Sequence, residues 1–289
     1  MTVSPYLRGV LITLLGVLII SPDTLLIRLV EADPWTMMIW RGFFTGVVVI
    51  AWCALFEPRE LAHVPKMGVL GWSAVMTFAA GNVLFLYAAT HTLVANTLFL
   101  VSTSPVFAAL IARFILGETV SRRTWITIAM TLSGIGIIAS GSLGEGQGSL
   151  DGDLAAIAAA ASMAASFSIA RARKTRSTVP AMGLGAWAGA LFGLLLAPEL
   201  MPQPGDWAPI LGMGLIVSPL AFICLTIGPR HITAADVGLL LLLEAVFGPL
   251  LVWWFIGEQP GAPTLTGGAV ILLTLLASNL WLALSARRR

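Results

Sequence analysis

Apolar residues fill this chain in blocks of about twenty, the length an α-helix needs to cross the hydrocarbon layer of a bilayer. Ten such windows can be marked, at roughly 7–30, 35–56, 67–88, 92–116, 123–141, 152–172, 180–200, 207–228, 232–256 and 263–285. Short polar joins such as Glu57–Lys66 and Pro202–Asp206 separate them. Composition points the same way. The chain is 58% hydrophobic and 10% charged, whereas a soluble domain carries about a quarter charged residues. The expected class is an all-α integral membrane protein with ten spans. Arg8 followed by an apolar run resembles the start of a signal peptide. The run is too long for an h-region and lacks a small-residue cleavage site, so it reads as a retained first helix. Cys53 and Cys224 lie inside apolar runs, in no CxxC or metal-ligand spacing.

The joins divide by charge. Arg8, Arg59, Lys66, Arg113, Arg122, Arg123, Arg171, Arg173, Lys174, Arg176, Arg230 and Arg287–Arg289 all fall at one set of ends, 14 of the 16 basic residues. The other set carries Glu31, Asp33, Glu145, Asp151, Asp153, Glu199, Asp206 and Glu258, with no base in any loop. Basic joins stay on the cytoplasmic side, which predicts cytoplasmic termini and an even number of spans.

The chain also repeats itself. "HTLVANTLFLVSTSPVFAALIARFILGE" at His91–Glu118 aligns without a gap to "HITAADVGLLLLLEAVFGPLLVWWFIGE" at His231–Glu258, an offset of 140 with eight identities in 28. The matched His and the closing Gly-Glu are not a by-product of Leu-rich text. The offset is half the chain, so a duplication of the whole unit is expected. Repeat one is 1–141 and repeat two is 152–289; "SGSLGEGQGSLDGD", Ser140–Asp153, holds the linker, 142–151. Five helices per repeat is an odd number, so the second copy enters the membrane inverted. The loop charges have been rewritten to match: Arg122 and Arg123 follow the first Gly-Glu, while "QPGAPT" follows the second. Inverted repeats build a shared central cavity near the midplane, the architecture of a carrier that opens to each side in turn.

Ten helices in a five-plus-five inverted repeat, with Gly-Glu closing windows four and nine and "STSPVFAALIARFILGE" in the fourth, resemble the drug/metabolite transporter superfamily in its EamA-type branch. The resemblance covers nearly the whole chain. It implies a secondary transporter of small metabolites in a bacterial inner membrane, working by alternating access, and one branch exports aromatic and other neutral amino acids. This chain has Ser102-Thr103-Ser104 before Pro105, where that branch often places an aromatic residue.

Ionisable groups within the hydrocarbon cost about 2.5–3.5 kcal/mol each on insertion scales, so each marks a pathway or a packing lock. Glu244 is the most central. It reads as a cavity carboxylate for a substrate ammonium or a proton, or as a hydrogen-bonded packing acid. Its repeat partner is Ser104, so the two halves differ chemically there. Asp236 opens window nine, where a carboxylate also stabilises free N–H groups; it corresponds to Asn96. Asp23 follows Pro22 at an expected kink, with Arg28 and Arg41 as candidate partners. Arg41 alternatively receives a substrate carboxylate. Asn82 is expected to bond between helices, and Tyr87 lies toward the end of the same window. His91 and His231 fall in loops at opposite faces and read as interfacial residues. Trp40 and Trp187 sit deeper than the other tryptophans, placing them either in a cavity wall or against lipid. Pro22, Pro105, Pro219 and Pro249 are hinge candidates. Gly185, Gly189 and Gly193 form a small-residue stripe suited to close helix packing.

No HExxH or P-loop pattern occurs, and the three His lie outside the windows. An enzyme is therefore the remote alternative, and a primary pump or cofactor-dependent activity is not expected. No metal site or nucleic-acid partner is expected either: the bases are spread as anchors and the net charge is only +2. The expected partners are the bilayer and a small solute. A carrier of cationic drugs or other metabolites in exchange for protons stands as the alternative to amino-acid export.

Overall fold

The structure is a computed structural model. It describes residues 4–115, 117, 121–143, 148–172, 177–232 and 234–287. Parts of the linker, Glu118, the basic residues 173–176 and the last two arginines lie outside the described residues. Ten long helical segments follow one another: α1 (Pro5–Arg28), α2 (Pro34–Phe56), α3 (Gly68–His91), α4 (Val94–Phe114), α5 (Arg122–Ser142), α6 (Leu150–Ala172), α7 (Val179–Leu196), α8 (Pro204–Arg230), α9 (Ala234–Ile256) and α10 (Ala262–Arg287). Nine of them are long and apolar enough to span a bilayer among the described residues. The tenth, α6, has 23 residues but is Ala-rich and carries Asp151 and Asp153 in its first turn.

Local sequence sets the starts. Ser4 accepts a bond from Leu7 N–H ahead of Pro5, and Asp33 accepts from Trp35 N–H ahead of Pro34. Ser121 accepts from Thr124 N–H at 3.2 Å to start α5. These are capping oxygens, two of them followed by a proline whose missing N–H costs nothing at a helix start. Gly117 and Gly257 adopt φ +68° and +81°, the left-handed turn that ends α4 and α9. The shared Gly of the repeated Gly-Glu is thus a backbone requirement.

The packing follows a pseudo-two-fold. Helix α2 packs on α7 and α5 on α10, each pair joining equivalent helices of the two halves. Helix α3 packs on α6 as α1 packs on α8, and α3 meets α7 as α2 meets α8. Small residues allow the close approaches. A Cβ on Gly42 would lie 2.7 Å from the Ala186 carbonyl, and one on Gly193 would lie 2.8 Å from that of Trp35. Gly134 of α5 and Gly267 of α10 face each other, each Cβ position within 2.9 Å of the other's carbonyl oxygen. The stripe read on α7 therefore has a packing role: Gly185 lies against α3, and Gly189 and Gly193 against α2.

Three helices are interrupted. In α1, helical geometry stops at Ile20 and resumes at Asp23, around Ser21-Pro22. In α4 it stops at Val101 and resumes at Ser104. Helix α8 contains a π-helical stretch, Gly212–Val217, just before Ser218-Pro219. By contrast Pro249 sits inside an unbroken α9.

A valine at Gly134 or Gly267 is expected to cost about 1–3 kcal/mol by overpacking. Thermal unfolding of the purified protein should show a clear drop, while Gly136→Ala, with nothing within 4 Å, leaves the midpoint unchanged or slightly raised.

Candidate transport site

The interruptions of α1 and α8 meet at Asp23. Pro22 has no N–H, so the carbonyl four residues earlier loses its helical donor and the chain turns Asp23 inward. Arg41 of α2 donates from Nη2 to Asp23 Oδ2 at 2.7 Å, and Ser218 donates to Oδ1 at 3.3 Å. Asp23 and Arg41 are 1% and 4% exposed. One ion pair therefore ties α1, α2 and the end of the π-helical stretch of α8. The backbone of Arg41 lies against Gly214 within that stretch, so the irregular turn is part of the same seat. Arg28 pairs elsewhere, which decides between the two partners considered for Asp23.

Among the described residues, three buried polar atoms around this pair have no hydrogen-bond partner: Arg41 Nε, Thr24 Oγ1 and Thr45 Oγ1. Thr24 adjoins Asp23 and faces Gly248 of α9. Glu244 lies one turn from Gly248 on α9, half-buried and within electrostatic range of Asp23. Among the described residues its carboxylate has no hydrogen-bond or ion-pair partner. Leu98 of α4 also contacts the Gly248 position. Helices α4 and α9 run antiparallel, so one turn toward the termini brings Glu244 level with Ser102–Thr103, the interruption of α4. At that interruption Ser102 and Thr103 bond back to the carbonyls of Phe99 and Leu100, at 2.7 and 2.6 Å.

Beyond this level the two helices behave differently at their two ends. On the far side from the termini, Val94–Leu100 are all buried, and α4 packs on α9, α10, α6 and α3. On the terminal side α4 packs chiefly on α6 and α5, and only Val106 of Ser104–Phe114 is buried. Residues 236–244 of α9 are all half-exposed there. The pair is closed at the far face and parted toward the terminal face, with Glu244 at the apex.

Side chains close the far face. Arg28 pairs with Glu258 at 2.9 Å and donates to the Thr92 carbonyl at 2.6 Å. Glu258 Oε1 accepts from Val94 N–H at 2.7 Å. Asp153 accepts from Thr92 at 2.7 Å, from Asn96 at 3.1 Å and from Ser142. Thr264 donates to Asn96 Oδ1 at 2.7 Å. Asp206 accepts from the N–H groups of Glu31 and Ala32 and holds the α1–α2 join. The terminal face also has ties, including Arg230 to Glu57 at 3.7 Å and to Ser177 at 3.0 Å. Among the described residues, no hydrogen bond or ion pair on that side joins α4 to α9.

The residues singled out in the sequence divide accordingly. Asp23, Arg41 and Glu244 converge at the centre, and Ser104 begins the resumed α4 close to that level. Asn96 belongs to the far-face network. Asp236 lies in the first turn of α9. Asn82 bonds within its own helix, to the Phe78 carbonyl at 3.0 Å, because that carbonyl is one turn away; among the described residues the expected interhelical bond is not formed. His91 closes α3, outside any loop, and stacks on Tyr87 at 3.8 Å between centroids. Tyr87 donates to Asp151 at 2.9 Å. Trp40 donates to the Leu200 carbonyl at 2.8 Å toward the far face, and Trp187 donates to that of Phe43 at 3.2 Å with 37% of its surface exposed. Among the described residues, neither indole N–H bonds to the Asp23–Arg41 pair. The sequence reading passed over Thr24, Thr45 and Ser218, which carry no local signal. It also left Arg28, Asp153 and Glu258 as loop or leftover charges.

Breaking a buried pair on one side leaves the other charge uncompensated and costs about 3–5 kcal/mol. Arg41→Gln alone is therefore expected to lower the thermal midpoint sharply. The double change Asp23→Asn with Arg41→Gln should recover most of the loss, and a double as unstable as the single would show the pair is not the relevant interaction.

Comparison with known proteins agrees with this architecture. The EamA-like transporter family matches twice, over residues 7–140 and 150–280. The chain is 24% identical over 245 residues to the uncharacterized transporter YdfC of Bacillus subtilis, covering 82% of this chain and 79% of that protein. It is 23% identical over 265 residues to an uncharacterized transporter of Archaeoglobus fulgidus, covering 91% and 93% of the two chains. A crystal structure titled only as that of a protein superposes with a TM-score of 0.67 at 20% identity, covering 94% of this chain and 96% of the other. A multi-pass helical chain with a polar seat at its centre, matched in both halves by one family, belongs to the EamA-like transporter family of the drug/metabolite transporter superfamily.

Proposed function

We propose that this transporter exports small zwitterionic metabolites, foremost aromatic or other neutral amino acids, by alternating access across a bacterial inner membrane. The observation that carries this reading is Glu244: a lone carboxylate at the apex of the opening between α4 and α9. A carboxylate there costs several kcal/mol unless water or a cation meets it. A substrate ammonium supplies that cation. The donors without partners, Arg41 Nε and the Thr24 and Thr45 hydroxyls, suit a substrate carboxylate on the Asp23 side. The apolar residues lining the rest of the seam, among them Leu98 and Leu242, fit a hydrophobic side chain.

The repeat boundaries, 1–141 and 152–289 joined by 142–151, are supported by the two family matches. Cytoplasmic termini are supported by the basic bias of the terminal face, and the opening toward that face fits loading from inside. Membership of a transporter family supports a non-enzymatic role.

A second reading has its own observation. Asp23 already neutralises Arg41, so Asp23, Arg41 and ionised Glu244 together carry one net negative charge. That balance suits a hydrophobic monocation or a metabolite amine exchanging for a proton.

Counterflow in proteoliposomes separates the two. Vesicles preloaded with unlabelled neutral amino acids should accelerate uptake of labelled phenylalanine, methionine or threonine. Glu244→Gln should slow this exchange at least about tenfold while the protein stays monodisperse. No acceleration, together with acceleration by a tetraphenylphosphonium gradient, would replace the amino-acid reading with the cation reading. Unchanged rate and pH dependence in Glu244→Gln would remove Glu244 from the site.

A further inference from the structure

The repeated Gly-Glu has a second consequence at the far face. Helix α4 starts at Leu93-Val94, which supplies no side-chain cap of its own. The first N–H groups of a helix need an acceptor, and the helix dipole favours a negative one. Here it comes from the opposite repeat. Gly257, in the left-handed conformation, turns the chain at the end of α9 so that Glu258 reaches Val94 N–H. The other oxygen of Glu258 pairs with Arg28. One carboxylate thus joins the end of α9, the start of α4 and the outer end of α1.

Arg28 stands at the end of a six-residue helical piece, Asp23–Arg28, whose other end is the central seat. Five residues of helix rise span about 7.5 Å. Asp23 and Thr24 at one end and Arg28 at the other are therefore joined by one short helical strut. The strut is set off from the rest of α1 by the Ser21-Pro22 interruption. Among the described residues Arg28 Nε has no partner although it is buried, and the guanidinium is held by Glu258 and the Thr92 carbonyl.

We propose that Glu258 is the far-face latch of this carrier, released when the Asp23–Arg28 strut shifts in response to occupancy of the central seat. The inference rests on the alternating-access reading given above. With the latch closed, α4 and α9 are held together at Leu98–Gly248 and part on the terminal side. Losing the latch shifts the population toward the opposite opening: the far-face seam loosens and the terminal side closes. A residue with a merely structural role would loosen both.

The test uses the full-length protein in nanodiscs, where both faces are accessible, with Cys53 and Cys224 replaced by alanine. One reporter is Leu98→Cys, at the closed seam and 3% exposed before substitution. The other is Leu241→Cys, half-exposed on α9 one turn from Glu244. Labelling rates with a charged maleimide are compared before and after Glu258→Ala. The expected result is reciprocal: Leu98→Cys reacts on the order of tenfold faster and Leu241→Cys slower. Arg28→Gln, which keeps the cap and breaks the ion pair, should shift both in the same directions by less, and it serves if Glu258→Ala does not fold. Any other pattern, whether both rates rising or neither moving, overturns the latch. Labelling needs no substrate. A failure of counterflow in the unsubstituted protein would therefore count against the carrier reading alone.

Discussion

The Asp23–Arg41 pair is the contact on which the centre of this molecule depends. Two opposite charges at 2.7 Å in the middle of an apolar bundle cannot be traded singly, because each makes the other tolerable. A buried pair of this kind contributes little net stability compared with apolar packing. Its effect is to fix position. Asp23 reaches Arg41 only because α1 is interrupted at Pro22, and Ser218 reaches Asp23 from the end of the π-helical stretch of α8. The irregularities of α1 and α8 are thus the geometric condition for the pair.

Around that seat the fold is built from smooth surfaces and few directional bonds. Gly42 and Gly193 bring α2 and α7 into backbone contact, Gly46 makes room for the Trp187 ring, and Gly134 and Gly267 bring the backbones of α5 and α10 together. Such seams are tight yet carry few side-chain hydrogen bonds. The directional bonds concentrate at the far face, where Asp153, Asn96, Thr92, Ser142 and Thr264 form one network and Arg28, Glu258 and Val94 another. Interactions of that kind can be exchanged as units while the glycine seams hold. The molecule is thus held in part by packing at glycine seams and in part by directional bonds gathered at the far face.

Much of this was legible in the sequence, for definite reasons. The spans follow from apolar length, and the window 35–56 differs from Pro34–Phe56 by a single residue. The Pro22 kink and the Asp23 pairing follow from a missing N–H and from the scarcity of bases on that side. Pro105 and Pro219, singled out as hinge candidates, stand beside the α4 interruption and the π-helical stretch of α8, but the form of those irregularities was not visible, because hydropathy is blind to which carbonyl each N–H meets. Long-range partners were hidden for a similar reason. Asp153 looks like a loop acid, yet its position at the start of α6 faces Asn96 and Thr92. Asn82 illustrates the converse: a polar side chain in a span was read as an interhelical bond, and a carbonyl of its own helix was nearer. Glu258 was seen as half of a motif, but the motif gave no hint that its carboxylate caps a helix of the other repeat.

The divergence of the two halves is where the chemistry lies. At an offset of 140, Glu244 answers to Ser104, so only one member of the crossing pair α4 and α9 carries a charge at the seam. Its height also matters. The Leu98–Gly248 contact is one turn farther from the open side, and every residue of α4 from Val94 to Leu100 is buried. An acid at position 248 would be enclosed with no water and would carry the full desolvation cost. An acid one turn toward the termini stands where the helices have just begun to part, and water or a cation can reach it. On the alternating-access reading proposed above, closing the terminal side removes that water, so Glu244 then requires a bound cation or a proton. On that reading, the location of a single carboxylate relative to the crossing point makes the closed state conditional on occupancy, as an exchanging carrier requires.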